Sequence, residues 1–521
     1  METDSRRRWW AVIAMSLALL TGGLDLTVLN LALPTLAGSL HASTSALQWI
    51  VDSYSLVVAA VMLPGGLLGD RYGRKKFLLF ALVVFGAGSL WCAYSTSSGE
   101  LIAARAALGV GAAMLVPLAL GIVPTMFTEE ERPRAVSVLL GTTVIAYPIG
   151  PILGGWLLTH FWWGSVFLIN VPVTMLAVLA VATLLPESRA TKRPFLDVGG
   201  IVGSSAALIL LTYGGVEAGS VGWGSTRTVV WMVAGVVALV LLVLWERRVV
   251  RHYGEQPLID LSLFRSACFS WGTILATVVS FAMFGLLFTV PQYFQDVRGT
   301  DAMGSGLRLL PMILGLIIGA ALADRVVALL GGIGPKTVVA IGFVLMAVGL
   351  VIGTGLQSTS STLFMAVWIG VTGAGVGFSL PTSMDAALGQ LSKEASGVGS
   401  GLIQAVRQTG ATFGVAVLGS IISAAYVSHL QLGGLPAADA AVVKDGVAGG
   451  VAVAHATNST ALLNNVFDAF THGARDMLWI CAGLSVVGAI LTVVFLPRQR
   501  KSSDAPAALA GAAPVSDEVG I

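Results

Sequence analysis

Five ionisable residues stand inside or at the edge of long apolar stretches: Asp25, Asp52, Arg105, Asp385 and Arg407. A charge in the hydrocarbon core of a membrane is costly, and such residues mark ion or substrate paths by default. Asp25 and Arg105 form the sharpest pair. Neither is stable against lipid, so both are expected to face a bundle interior. If they meet, attraction between them competes with loss of hydration, and the balance decides whether Asp25 holds a proton. That balance moves when a cavity wets or dries. A carboxylate in this position can take a proton from one side and release it on the other. The driving force would be ~2.3 kcal/mol per charge per 100 mV plus ~1.4 kcal/mol per pH unit. The competing reading is a static salt bridge that locks two helices.

Three further groups carry polarity into apolar segments. Asp52 follows Gln48 and Trp49 and precedes Tyr54; it reads either as a cation-recognising carboxylate near an outer mouth or as a hydrated residue at a helix end. Arg407, flanked by Gln404 and Gln408, either lines a pore or packs against a neighbour, with Gly401, Gly410 and Gly414 close by. The run Gly150-Pro151-Ile152-Leu153-Gly154-Gly155 combines a helix-bending proline with small residues. It would let another helix approach and slide, or serve ordinary close packing.

The elements that must hold these residues follow from composition. The chain has 521 residues, 56% apolar and only 11% charged, with a mean hydropathy of +0.87. A soluble domain carries about 25% charged residues, so this chain cannot coat a water-facing globule of its length. A net charge of +2 gives no electrostatic basis for nucleic-acid binding. Cys92, Cys268 and Cys481 are far apart, which argues against a disulfide scaffold or a cysteine metal site. An all-α integral membrane protein remains. A helix needs ~20 apolar residues to span a bilayer, and that window finds fourteen segments. They are 10–33, 47–69, 77–95, 101–124, 135–158, 164–185, 198–214, 228–246, 267–291, 304–323, 337–356, 362–386, 398–427 and 473–496.

With both termini in the cytoplasm, 22 of the 29 Lys and Arg residues fall in inner loops or tails, as the positive-inside rule requires. The first segment contains Asp25 and Asn30 and is too long for a cleaved signal peptide. The basic loops 187–197 and 247–266 flank one hairpin, so the order is six spans, two spans, six spans. The expected division is 1–186, an N-terminal six-helix bundle; 187–264, a linker with spans seven and eight; 265–497, a C-terminal bundle; and 498–521, a disordered cytoplasmic tail. Gly69-Asp70-Arg71-Tyr72-Gly73-Arg74-Lys75-Lys76 follows span two, and Ala323-Asp324-Arg325 follows span ten. An Asp-Arg pair in corresponding loops points to duplicated halves or to coincidence. Loop 428–472 reads as an external cap with two short helices near 437–455 and 459–470. Its histidines are too scattered for a metal site.

Taken together, these motifs resemble the fourteen-span drug:proton antiporters of the major facilitator superfamily. Leu24-Asp25-Leu26-Thr27-Val28-Leu29-Asn30-Leu31-Ala32-Leu33-Pro34 is similar to that family's span-one motif. The run from Gly69 to Lys76 is similar to the superfamily's loop motif. Arg105 with Gly109, Gly111, Ala112 and Ala113 resembles its span-four motif, and Gly150-Pro151 with Gly154-Gly155 its antiporter motif. Phe167-Leu168-Ile169-Asn170-Val171-Pro172 resembles the start of span six. The resemblance covers about 10–425. It implies a major facilitator fold with 14 transmembrane helices in a 6+2+6 order and proton coupling through Asp25 and Arg105. It also implies a cytoplasmic latch at Asp70, Arg71, Gly73 and Arg74, and an exchange-type interface at Gly150, Pro151, Gly154 and Gly155.

Two departures bear on substrate. Leu108 stands where many members carry Gln. The stretch Leu402-Ile403-Gln404-Ala405-Val406-Arg407-Gln408 lacks the carboxylate that many exporters of quaternary ammonium cations have there. The expected function is proton-coupled efflux of amphipathic small molecules across a bacterial cytoplasmic membrane. Asn30, Trp49, Asp52, Tyr54, Gln404 and Arg407 are the candidate substrate contacts. The expected partners are a small-molecule substrate, protons and membrane lipids. No nucleic acid, no metal and no cofactor beyond the proton gradient are expected, and the chain is expected to act as a monomer. The alternative is an exporter of one defined metabolite, such as an amino acid or siderophore. A receptor or membrane enzyme fits poorly: no metal cluster or nucleophile motif is present, and neither is a phosphate-binding loop.

Overall fold

A computed structural model describes residues 2–128, 131–189, 197–253, 261–330, 333–388 and 393–497. The expected tail 498–521 lies outside them. In a bilayer every backbone amide must be satisfied within its own segment or by a closed sheet, and an apolar chain of this composition satisfies them as helix. The first six spans are α1 (Glu2–Leu40), α2 (Thr44–Tyr72), α3 (Arg74–Ala93), α4 (Ser98–Met126), α5 (Arg132–His160) and the pair α6 (Ser165–Leu168) and α7 (Asn170–Leu184). The hairpin is α8 (Val198–Val221) and α9 (Thr226–Arg248). Then follow α10 (Ala267–Gln292), α11 (Ala302–Leu330), α12 (Gly334–Gly353), α13 (Thr362–Leu388) and α14 (Lys393–His429). The short α15 (Ala437–Asp445) and α16 (Val447–Ala456) precede α17 (Thr460–Phe495).

Among the described residues, 13 helices are long and apolar enough to cross a membrane. With the 29-residue α5 the order is that of the fourteen expected spans. Two expectations about the cap are corrected. The first cap helix, expected near 437–455, is split at Gly446 into α15 and α16. The second cap helix, expected near 459–470, is the first part of the unbroken α17. Ser459 caps it by accepting the Leu462 amide, and Gly473, near the expected break, stays helical because it packs against Ile422 of α14, where a Cβ would lie 2.8 Å from the carbonyl. Serine caps also start α2 (Ser43), α4 (Ser97) and α10 (Ser266), each satisfying an amide that lipid could not.

Within the first group α1 packs on α5 and α7, and α4 packs on α2 and α3. In the last group α13 packs on α11 and α12, and α14 on α10 and α17. Glycines set the closest approaches. A Cβ on Gly111 would lie 2.6 Å from both the Ala81 carbonyl and the Phe85 amide of α3. Gly315, Gly319, Gly373 and Gly377 likewise bring the backbones of α11 and α13 together, the small-residue packing expected where lipid offers no hydrophobic drive. The two groups meet along α2–α14, α5–α11 and α1–α10. The α8–α9 hairpin docks on α2 and α14. Only 17% of the α9 window is buried, which makes α9 the outermost, lipid-facing element.

Candidate functional site

Asp25 lies in the middle of α1 and Arg105 about two turns into α4. Both are fully buried, and Arg105 Nη1 donates to Asp25 Oδ2 at 2.5 Å. Arg105 Nε donates to the Ile50 carbonyl of α2 at 3.2 Å, and the guanidinium carbon sits 4.3 Å from the Tyr54 ring centroid. One side chain thus ties α4 to α1 and to α2. Gly109 makes this possible: a Cβ there would fall 2.8 Å from the Tyr54 carbonyl, so only glycine lets α2 and α4 close around the pair.

On another face of α1, Thr27 and Asn30 line a small cavity of ≈ 20 Å³. They stand roughly 140–200° around the axis from Asp25 at 3.6 residues per turn. The opposite wall comes from the last six-helix group: Met283 and Leu287 of α10, and Leu309, Met312, Ile313 and Leu316 of α11. The Thr27 hydroxyl donates to its own helix at the Gly23 and Leu24 carbonyls, so Asn30 carries the wall's amide donor. Behind α1, Gly150 and Gly154 of α5 receive Thr27 and Val28, and a Cβ on Gly154 would lie 2.8 Å from Val28 Cγ1. The backbone of Pro151 continues α5 between them; its side chain lies outside the described residues. Gly155 turns to the other group, where a Cβ would meet Met303 Cα at 2.6 Å.

The remaining sequence candidates are dispersed. Trp49 stacks on Tyr213 of α8 at 5.3 Å and belongs to the hairpin contact. Tyr54 is the platform under Arg105. Asp52 is completely buried, and neither carboxylate oxygen has a hydrogen-bond partner among the described residues; the hydrated helix-end reading does not hold. It lies one turn from Gln48, whose amide abuts Gly419 of α14. Gln404 and Arg407 are half-buried on α14 and do not line the cavity. Of the six expected substrate contacts, Asn30 alone lines it.

The loop after α2 is built as a clasp. Arg74 Nε binds Asp70 Oδ1 at 2.5 Å, and Arg71 lies over the Tyr72 ring at 5.8 Å. Gly73 has φ +128° and a Cβ there would meet Glu187 Oε1 at 2.7 Å, which explains the glycine. Glu187 Oε1 accepts the Lys75 amide at 3.2 Å, and Lys75 Nζ donates to the Ala182 carbonyl at 2.7 Å. The clasp therefore joins α2 and α3 to the end of α7. Asp324, expected in a matching loop after span ten, lies instead within α11, which runs on to Leu330; its side chain lies outside the described residues.

Sequence reasoning missed the α10 and α11 wall, because Met, Leu and Ile at those positions look like any other core or lipid-facing residue. It also missed the approach of His429 and His472, whose rings stack at 4.6 Å although they are distant in sequence.

A membrane protein of two six-helix groups meeting over a central cavity is a transporter architecture, and the comparisons fix which one. The Major Facilitator Superfamily model matches residues 15–198 and 195–415. The chain belongs to the Major Facilitator Superfamily. Similar curated proteins include the tetracenomycin C resistance and export protein of Streptomyces glaucescens, 32% identical over 80% of this chain and 76% of that protein. The multidrug efflux pump LfrA of Mycolicibacterium smegmatis is 31% identical over 94% of this chain and 97% of its own. The puromycin resistance protein pur8 of Streptomyces alboniger is 30% identical over 96% and 93%. Among solved structures, a bacterial homolog of the human lysosomal transporter Spinster in an inward-facing, unoccupied conformation superposes with a TM-score of 0.68 at 15% identity, covering 95% of this chain and 99% of that one. In this superfamily the chain is a multi-pass membrane transporter, not an enzyme.

Proposed function

We propose that this transporter expels amphipathic small molecules from a bacterial cell in exchange for protons, by alternating access. The observation that carries the reading is the arrangement of α1: one face holds the buried Asp25–Arg105 pair and another lines the cavity. The drug-export and resistance relatives support the substrate class. A proton arriving on Asp25 cancels the charge that holds Arg105, so α1 is released from α4. Movement of α1 then reshapes the wall that carries Thr27 and Asn30. Ligand and proton act on one helix without touching each other, and coupling is the free energy they share through it.

With both termini cytoplasmic, the ends joined by Gln295 Nε2 to the Leu31 carbonyl at 2.9 Å and Thr44 Oγ1 to the Asp445 carbonyl at 2.5 Å are external. The structure is then closed on its outer side. In this reading residues 1–186 and 265–497 are the rocking bundles, 187–264 is a linker carrying α8 and α9, and Asp70, Arg71, Gly73 and Arg74 clasp the inner side. Gly150, Pro151, Gly154 and Gly155 form the surface on which α1 and α11 slide. The protein acts as a monomer in the cytoplasmic membrane.

The test is substrate-induced proton release from purified protein, wild type against Asp25→Asn. Release that disappears in the variant while ligand binding persists is the expected result. Undiminished release from Asp25→Asn would remove Asp25 from the coupling step and make Asp52, the other buried carboxylate of the first six spans among the described residues, the next candidate.

A further inference from the structure

The foot of the α8–α9 hairpin carries a basic patch that the transport cycle does not use. α9 ends in Arg247 and Arg248, and a π-helical turn, Val249–Tyr253, adds Arg251. The short 3₁₀ helix Leu261–Arg265 packs on α9 and contributes Arg265. All four arginines are exposed. Among the described residues none of them is engaged in an ion pair. Glu246, beside them in sequence, is buried and lies against Gly200 of α8, on the inner side of α9. The outer side faces lipid, since α9 is the outermost helix. Trp245 sets the depth. It is exposed there, and its Nε1 donates to Asp197 Oδ1 at 2.7 Å; a ring with an apolar body and a satisfied polar edge suits the membrane interface. Arg247, Arg248 and Arg251 lie ~3–9 Å further along the axis, at the level of the lipid phosphates. Val250 and Phe264 are exposed beside them and offer apolar surface to acyl chains.

From this patch we infer that the foot of the hairpin binds an anionic phospholipid, with the phosphate held by Arg247, Arg248, Arg251 and Arg265 and the acyl chains laid along α9. Guanidinium forks bind phosphate bidentately, and basic residues clustered at the end of a membrane helix attract an acidic leaflet. The hairpin docks on α2 of one helix group and α14 of the other, so the lipid anchors the element that bridges the seam between them. The side of the membrane follows from the orientation above; the chemistry is independent of what is transported.

The experiment uses the full-length purified protein, stripped of lipid, in an uncharged detergent. Phosphatidylglycerol and phosphatidylcholine with matched acyl chains are titrated, and bound lipid is counted by native mass spectrometry. Wild type is expected to bind phosphatidylglycerol at least tenfold more tightly than phosphatidylcholine. Changing Arg247, Arg248, Arg251 and Arg265 together to Gln is expected to bring the two lipids within about threefold. Arg325→Gln, an equally exposed cation at the end of α11, leaves the preference in place. Should the fourfold variant fail to fold, Arg247→Gln combined with Arg251→Gln is expected to lower the preference at least threefold. Equal affinity of wild type for the two lipids, a preference unmoved by the Gln variants, or one weakened as much by Arg325→Gln would overturn the inference. A rise in melting temperature with inorganic phosphate equal to that with phosphatidylglycerol would overturn it too, by assigning the patch to a free anion.

Discussion

At the scale of single residues, Arg105 has three partners that no other side chain could serve together: a carboxylate, a carbonyl and an aromatic face. Its planar fork does this; a lysine's single ammonium does not. Breaking a buried pair by removing one partner leaves the other charge uncompensated, at about 3–5 kcal/mol. Arg105→Ala is therefore expected to lose about that much stability, read as a large drop in the melting temperature in detergent, and Arg105→Lys should recover only part. Combining Asp25→Asn with Arg105→Gln should cost clearly less than the sum of the single changes, by more than ~0.5 kcal/mol. Simple additivity would mean that the pair is not coupled. Asp52 poses the opposite case. It is buried without a partner among the described residues, so Asp52→Asn removes a desolvated charge and is expected to leave melting unchanged or raised, checked by the same assay.

At the scale of elements, α1 and α5 do most to define the site. α1 separates ion pair from cavity because the two sets of residues fall on different faces of one helix. α5 backs α1 with Gly150 and Gly154 and reaches the opposite group through Gly155. In Gly155→Val the new side chain would strike the Met303 backbone, so the external seam between α5 and α11 cannot close fully. Spin labels on the external ends of α5 and α11 should show a longer distance in this variant, with the inner ends little changed; an unaltered distance distribution would refute the seam argument. The α8–α9 hairpin is held by an aromatic series, Trp49 on Tyr213 at 5.3 Å and Tyr213 on Trp231 at 4.9 Å, and by Ser205 Oγ donating to the Ala60 carbonyl at 3.2 Å. Trp49 is half-buried, so Trp49→Ala is expected to lower the melting temperature by less than a core deletion would, while affinity for an exported compound stays within twofold. A selective loss of affinity would return Trp49 to the substrate contacts.

At the scale of the whole molecule, two groups of helices touch along three seams, and one end is closed. The α15–α16 hairpin is bound to both groups there: the Asp445 carbonyl accepts from Thr44 at the start of α2, and Tyr426 Oη of α14 donates to the Val443 carbonyl at 3.0 Å. A carrier that alternates must break the first of these contacts to open outwards. A short bifunctional thiol cross-linker between Thr44→Cys and Asp445→Cys is expected to abolish transport, with recovery on cleavage of a reducible linker. The native cysteines Cys92, Cys268 and Cys481 are all buried and leave the engineered pair as the reactive one. Transport that survives complete cross-linking would show that this end does not need to separate.

Much of the fold was legible because the bilayer leaves a chain few options. Runs of apolar residues long enough to span it become helices, and each expected span coincides with a helix, although α1, α8 and α11 run well past the expected ends. The exception, the fusion of the expected second cap helix with α17, arose because Gly473 serves close packing on Ile422 of α14 rather than a turn. Local chemistry also reads directly: Gly73 stands where φ is +128°, and ionisable residues in apolar segments single themselves out. Sequence alone thus determined the membrane class and the order of helices, and it singled out five charged residues, of which Asp25, Asp52 and Arg105 are buried while Arg407 is half-buried and Asp385 exposed. It did not determine which of them meet, because Asp25 and Arg105 come from different helices and their contact depends on how α1, α2 and α4 pack. Nor did it find the cavity. A cavity wall made of Met, Leu and Ile differs from a packed core only by the absence of a neighbour, and that is decided in three dimensions, by the crossing of α1, α10 and α11.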